Sequence, residues 1–143
     1  MIKKLLIAAI VFVSAGCSDK LAVNTLNGTY TGQFYYLEPG KPLAEKVSAP
    51  ASVSFSGANF SSQGNSNRVP AGGSGKFDIL KDKQVNFNDE NMWTANFDWG
   101  LILTGKYNYE HKGDSLILTR YTEPCPNCDM VGSLYQYRLK RSN

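Results

Sequence analysis

From Gly28 to Lys140 the chain alternates apolar and polar residues, and no stretch of about eleven residues sustains a 3.6-residue apolar period. That property decides the fold class. Period-two alternation puts every second side chain on one face of a strand, whereas a helix needs apolar positions three and four apart. The alternating runs are rich in Tyr, Phe, Val, Ile and Thr and are broken by Gly, Asn, Asp and Pro. Gly28 to Leu37 offers Tyr30, Phe34 and Tyr36 on one face, with Gly32 leaving a gap that predicts a bend, a bulge or a close backbone approach. Ala51 to Phe55 turns at Ser56-Gly57-Ala58 and resumes at Phe60, as a tight hairpin. Lys76 to Leu80 and Gln84 to Phe87 form a second hairpin, with Phe77, Ile79, Val85 and Phe87 inward. Leu101 to Glu110 and Ser115 to Tyr121 form a third, placing Leu103, Tyr107 and Tyr109 with Leu116 and Leu118. The final run, Ser133 to Lys140, turns Tyr135, Tyr137 and Leu139 inward and leaves Arg138 and Lys140 to solvent. Residues 61–75, rich in Ser, Asn and Gly, are expected to be a mobile loop. The expectation is therefore an all-β fold, a small antiparallel up-and-down barrel of about eight strands, since closure removes exposed edges. A doubly wound nucleotide-binding fold is excluded for want of strand–helix–strand alternation.

The first residues belong to a different problem. Lys3 and Lys4 precede an apolar run from Leu5 to Val13, and Ser14-Ala15-Gly16 leads into Cys17. The run is too short to span a bilayer, which takes about 20 residues. This order resembles a bacterial lipoprotein signal, with Ser14 standing where Leu is usual. The resemblance implies cleavage before Cys17, lipid attachment to its sulfur and residence at the outer membrane of the cell envelope. The expected organisation is a signal peptide over 1–16, a lipidated tether over 17–27 and a barrel domain over 28–143. Removing the leader lysines from a chain with 15 basic and 12 acidic residues leaves a nearly balanced charge. Without a basic run, that balance gives no footprint for nucleic acid.

Leu26-Asn27-Gly28-Thr29-Tyr30 opens the first strand, and Trp99-Gly100-Leu101-Ile102-Leu103-Thr104-Gly105-Lys106-Tyr107 leads to Gly113-Asp114-Ser115-Leu116-Ile117-Leu118-Thr119-Arg120. Together these resemble the small lipocalin-like lipoproteins of Bacteroidetes envelopes. Tyr30 stands where lipocalins place a Trp. The resemblance implies a calyx-like barrel without known chemistry.

Few residues offer reactive chemistry. Cys125-Pro126-Asn127-Cys128 can close a small disulfide ring, act as a redox pair or supply half a zinc site. The motif lies between strands without a helix to lower a thiol pKa, in a compartment that permits disulfides, so a structural Cys125–Cys128 disulfide is expected. His111 is expected as a solvated turn residue, and no nucleophile motif pairs with it. Gly72, Gly73 and Gly75 lack the Lys and Ser/Thr of a phosphate loop. Met92, Trp93, Phe97 and Trp99 crowd one connection, so Trp93 and Trp99, with Tyr107, are the candidate ligand contacts. No catalytic residue, metal ligand or cofactor is expected. The leading expectation is a non-enzymatic envelope lipoprotein, reaching the membrane through Cys17 and binding a small apolar or amphipathic ligand in its barrel. The alternative is an accessory module that displays loops from a filled barrel to an envelope protein. A thiol or metal function at Cys125 and Cys128 comes third.

Overall fold

The computed structural model describes residues 26–81, 83–123 and 132–142. Eight strands run in sequence order: β1 (Gly28–Leu37), β2 (Val47–Ser56), β3 (Asn59–Gln63), β4 (Gly73–Leu80), β5 (Gln84–Asp89), β6 (Gly105–Lys112), β7 (Ser115–Thr122) and β8 (Ser133–Arg141). Each pairs antiparallel with the next, and β8 returns to β1 from Tyr30↔Arg141 to Leu37↔Leu134, closing the barrel. The up-and-down barrel expected from alternation is what forms. The 3-10 turns Leu43–Glu45 and Trp99–Leu101 are the helical elements that lie between the strands.

The inward residues follow the alternation. Tyr30, Phe34, Val53, Phe55, Phe60, Phe77, Ile79, Val85, Phe87, Tyr107, Leu116, Leu118, Tyr135, Tyr137 and Leu139 are all buried. Their rings fill the lumen in a continuous chain of contacts. Tyr30 meets Phe55 edge-on with centroids 5.8 Å apart, Phe55 meets Phe77 at 5.1 Å, Phe60 meets Phe87 at 4.8 Å, and Phe87 meets Tyr107 at 5.7 Å. Tyr107 reaches Tyr137 at 6.3 Å, and Tyr137 reaches Phe34 at 4.7 Å. Edge-to-face aromatic pairs contribute about 0.5–1.5 kcal/mol each beyond their buried area. The gap at Gly32 is a close approach, as one branch of the sequence reading has it. A Cβ there would lie 2.1 Å from the Arg138 carbonyl oxygen, so only glycine lets β1 press against β8.

Three expectations are corrected. Residues 61–75 are not a loose loop. Asn59–Gln63 is β3, Gly73 opens β4, and Pro70 to Gly73 are buried. The backbone of this stretch is tied to the far side of the barrel end, Ala71 N–H to the Leu101 carbonyl at 3.0 Å and Leu103 N–H to the Gly72 carbonyl at 2.8 Å. The glycines serve close packing here. A Cβ on Gly64 would meet the Ala71 carbonyl oxygen at 2.1 Å, and one on Gly75 the Asn88 carbonyl oxygen at 2.1 Å. The strand expected from Leu101 begins only at Gly105, because Trp99–Leu101 coils and Ile102 bridges to Gly72. His111 lies on β6 opposite Leu116 rather than in the turn, and its ring stands edge-on to Tyr30 at 6.1 Å.

The registers give the barrel two unlike ends. At one, the hairpins β2–β3, β4–β5 and β6–β7 turn tightly, and both the start of β1 and the end of β8 are found there. Leu26, fully buried, closes this end from inside, and Gly57 N–H donates to the Asn27 side chain at 3.2 Å. The other end carries the long connections, residues 38–46, 64–72, 90–104 and 123–132.

Candidate functional site

The long-loop end is built around an inward-facing cation. Arg120 follows Leu116 and Leu118 on the inner face of β7, so strand parity aims it into the barrel mouth. Its guanidinium sits over two rings, 5.0 Å from the Tyr107 centroid and 4.4 Å from that of Tyr135. It donates to the Thr104 carbonyl at 2.8 Å and to the Gly100 carbonyl. Among the described residues no carboxylate pairs with it, so ring faces and peptide dipoles hold the charge. Arg120 thereby ties the centre of the Trp99–Leu101 turn, and Thr104 just beyond it, to β7.

Asp98 fixes the same turn from outside. Its Oδ1 accepts from Gly100 N–H at 2.7 Å, and its Oδ2 accepts from the Tyr36 hydroxyl at 3.2 Å. Tyr36 stacks on Tyr135, centroids 5.1 Å apart and planes 24° from parallel. Burial raises the Tyr36 phenol above its ordinary range, and the neighbouring Tyr135 and Asp98 push it further the same way. Tyr107, wholly inside, is pushed up to about 12 by burial against the opposing pull of Arg120. Burial likewise lifts Tyr137. These phenols stay protonated at neutral pH and offer no base.

A second cluster orders the connection from Glu90 to Thr104. Asp89 accepts from Ser74 N–H and from the Asn91 amide, each at 2.8 Å, and from the Trp93 indole N–H. Trp93 meets Phe97 edge-on at 5.7 Å. Arg68 lies 4.6 Å over the Phe97 ring and donates to Thr94 Oγ1 and Asn96 Oδ1.

The three candidate ligand contacts therefore share one end of the barrel but occupy three environments. Trp93 is half-buried and tied to Asp89, Tyr107 is sealed in the core beneath Arg120, and Trp99 is 55% exposed with its indole N–H donated to the Thr94 carbonyl at 3.1 Å. Cys17, Cys125 and Cys128 lie outside the described residues. The sequence does not single out Arg120, Asp98 or Arg68, and it marks Tyr36 and Tyr135 only as inward strand positions. For Arg120 a signal existed: a cation at an inward position of an otherwise apolar strand face.

The large hydrophobics left exposed among the described residues are Leu43, Val47, Met92, Trp99 and Tyr121, and every one lies at the long-loop end. Met92 is 99% exposed. Exposed Glu38, Glu45, Glu90, Asp98 and Glu123 lie at the same end, where Lys41 pairs with Glu45 at 3.2 Å. Among the described residues no three His, Cys, Asp or Glu side chains converge as a metal site. No family model, curated protein or solved structure matches the chain.

Proposed function

We propose that this protein is a non-enzymatic accessory module of the bacterial envelope, lipid-anchored to the outer membrane at Cys17, whose filled barrel presents its long-loop end to a partner protein. The observation that carries the reading is the confinement of exposed large hydrophobics to one end of a barrel whose interior is packed with rings. Exposed large apolar side chains gathered at one end and bordered by charge are the kind of surface that an interaction site presents. Among the described residues exposed acids outnumber exposed bases at this end, so the fitting partner carries an apolar patch bordered by Lys and Arg. The fixed charge-and-ring clamp of Arg120 and Asp98 would hold the loops ready to bind, so that little ordering entropy is lost on association. A Cys125–Cys128 disulfide would pin the β7–β8 connection at this same end. A small apolar ligand in the lumen is the second reading, and the aromatic packing favours the scaffold over it.

The test is photo-crosslinking in cells from positions 92 and 99, with Ser61 and Asn108, exposed at mid-strand on the barrel wall, as controls. The proposal expects one discrete protein adduct from the loop end, abolished by Trp99→Ala placed alongside the probe at 92. Equal adducts from wall and loop end, or adducts to lipid alone, contradict it.

A further inference from the structure

The charge balance differs between the two ends of the barrel: at the long-loop end Lys41, Lys46, Arg68 and Arg120 are outnumbered by Glu38, Glu45, Asp89, Glu90, Asp98 and Glu123. Lys81, Lys83, Lys112, Lys140 and Arg141 are all exposed and all belong to the tight-hairpin end, where Asp114 is the carboxylate in a turn among the described residues, with Asp78 on β4 and Glu110 on β6 each two residues back from a hairpin. A depression of about 420 Å³ opens between Lys83, Tyr109, Glu110, His111 and Lys112. The outer wall continues the same character: Arg138 stands beside Lys140 on β8, and the outward positions of β1 and β2 that flank them carry Thr, Gln, Tyr and Ser without an acid. This is also the end at which the chain enters the barrel, at Leu26 and Gly28.

We infer that the tight-hairpin end is a seat for an anionic phospholipid surface, on which the barrel stands with its long-loop end pointing away. The inference rests on the lipid anchoring proposed above and adds an orientation to it. Residues 18–25 can span at most roughly 28 Å, so an anchor at Cys17 keeps this end close to the headgroups. Each Lys or Arg near an anionic surface strengthens attachment about fivefold, within a screening length of about 10 Å at 0.1 M salt. Lys81, Lys83, Lys112, Lys140 and Arg141 are at the end of the barrel where the tether begins. The exposed apolar residues then face away from the bilayer, where a partner protein can reach them.

Full-length protein carrying its lipid, reconstituted into phosphatidylcholine vesicles with and without phosphatidylglycerol, tests this by amine-reactive labelling read by mass spectrometry. We expect labelling of Lys83, Lys112 and Lys140 to fall about fivefold on the anionic vesicles relative to Lys41 and Lys46 at the loop end. The protection should vanish in 1 M salt, where screening shortens to about 3 Å. Trp93 and Trp99, the two tryptophans of the chain, sit at the far end and should escape quenching by brominated lipid. Equal labelling on both vesicles, or quenching of the tryptophans, overturns the inference while leaving the anchor intact. Protection by a soluble anionic polysaccharide but not by anionic vesicles also overturns it and assigns the surface to a glycan. A chain that fails to float with vesicles contradicts the anchoring itself.

Discussion

Phe87 is where the filled barrel can be probed most severely. Its ring is 1% exposed and meets four others: Phe60 at 4.8 Å, Tyr107 at 5.7 Å, and Phe55 and Phe77 at 6.3 Å each. Phe87→Ala removes a fully buried side chain worth about 1.5–3 kcal/mol in transfer from water. It also leaves a hole that strands closed into a ring cannot collapse, which brings the expected loss to about 3–5 kcal/mol. For a domain of this size 1 kcal/mol corresponds to about 4 °C, so the midpoint should fall by roughly 12–20 °C. The assay is thermal unfolding by circular dichroism, repeated with benzene. An apolar hole stays dry and accepts such a molecule. Benzene should therefore raise the midpoint of the variant and leave the parent unchanged. A loss under about 1 kcal/mol, or benzene stabilising the parent equally, would refute the packed lumen.

Arg120→Gln should release the Trp99–Leu101 turn. Charged hydrogen bonds are worth about 1.5–3 kcal/mol each, and relief of cation burial offsets part of that, for a net loss of about 2 kcal/mol; hydrogen exchange should accelerate in residues 90–104 more than in β7. Gly32→Ala sets a Cβ against the Arg138 carbonyl, a backbone atom that cannot rotate away, and should cost at least about 3 kcal/mol in denaturant unfolding, at the upper end of overpacking. The buried phenols predict alkaline unfolding. Tyr107 is raised to about 12 in the fold against about 10 unfolded, so its protonation supports the fold fully below pH 10 and that support is lost as pH rises towards 12; Tyr107→Phe should flatten the fall in melting temperature over that window.

The barrel was legible because one face of each strand is apolar and the other polar, and a one-residue slip would invert both. Hence Phe77, Ile79, Val85 and Phe87 could be placed inward from pattern alone, and all four are buried. Closure of β8 onto β1 followed from the cost of free edges. The segment 61–75 misled because glycine in sequence does not distinguish a backbone that is free from one that must come within van der Waals contact of another. Gly64 and Gly75 are of the second kind. The late start of β6 had no local signal either, since Leu101 to Leu103 alternate poorly and are buried by contact with Gly72, distant in sequence. The loop-end site was half legible. Trp93 and Trp99 stood out by size, but the residues that organise the mouth come from β1, β7 and β8. Only the closed ring brings Tyr36, Arg120 and Tyr135 together.

Whether the lumen is solid is best decided by crystals of the full-length parent protein pressurised with xenon, which enters apolar cavities without needing a polar partner. The account predicts no xenon among Phe55, Phe77, Phe87, Tyr107 and Tyr137. Ordered xenon along the barrel axis, or lipid density carried there from the cell, would contradict it and return the ligand-binding reading to first place.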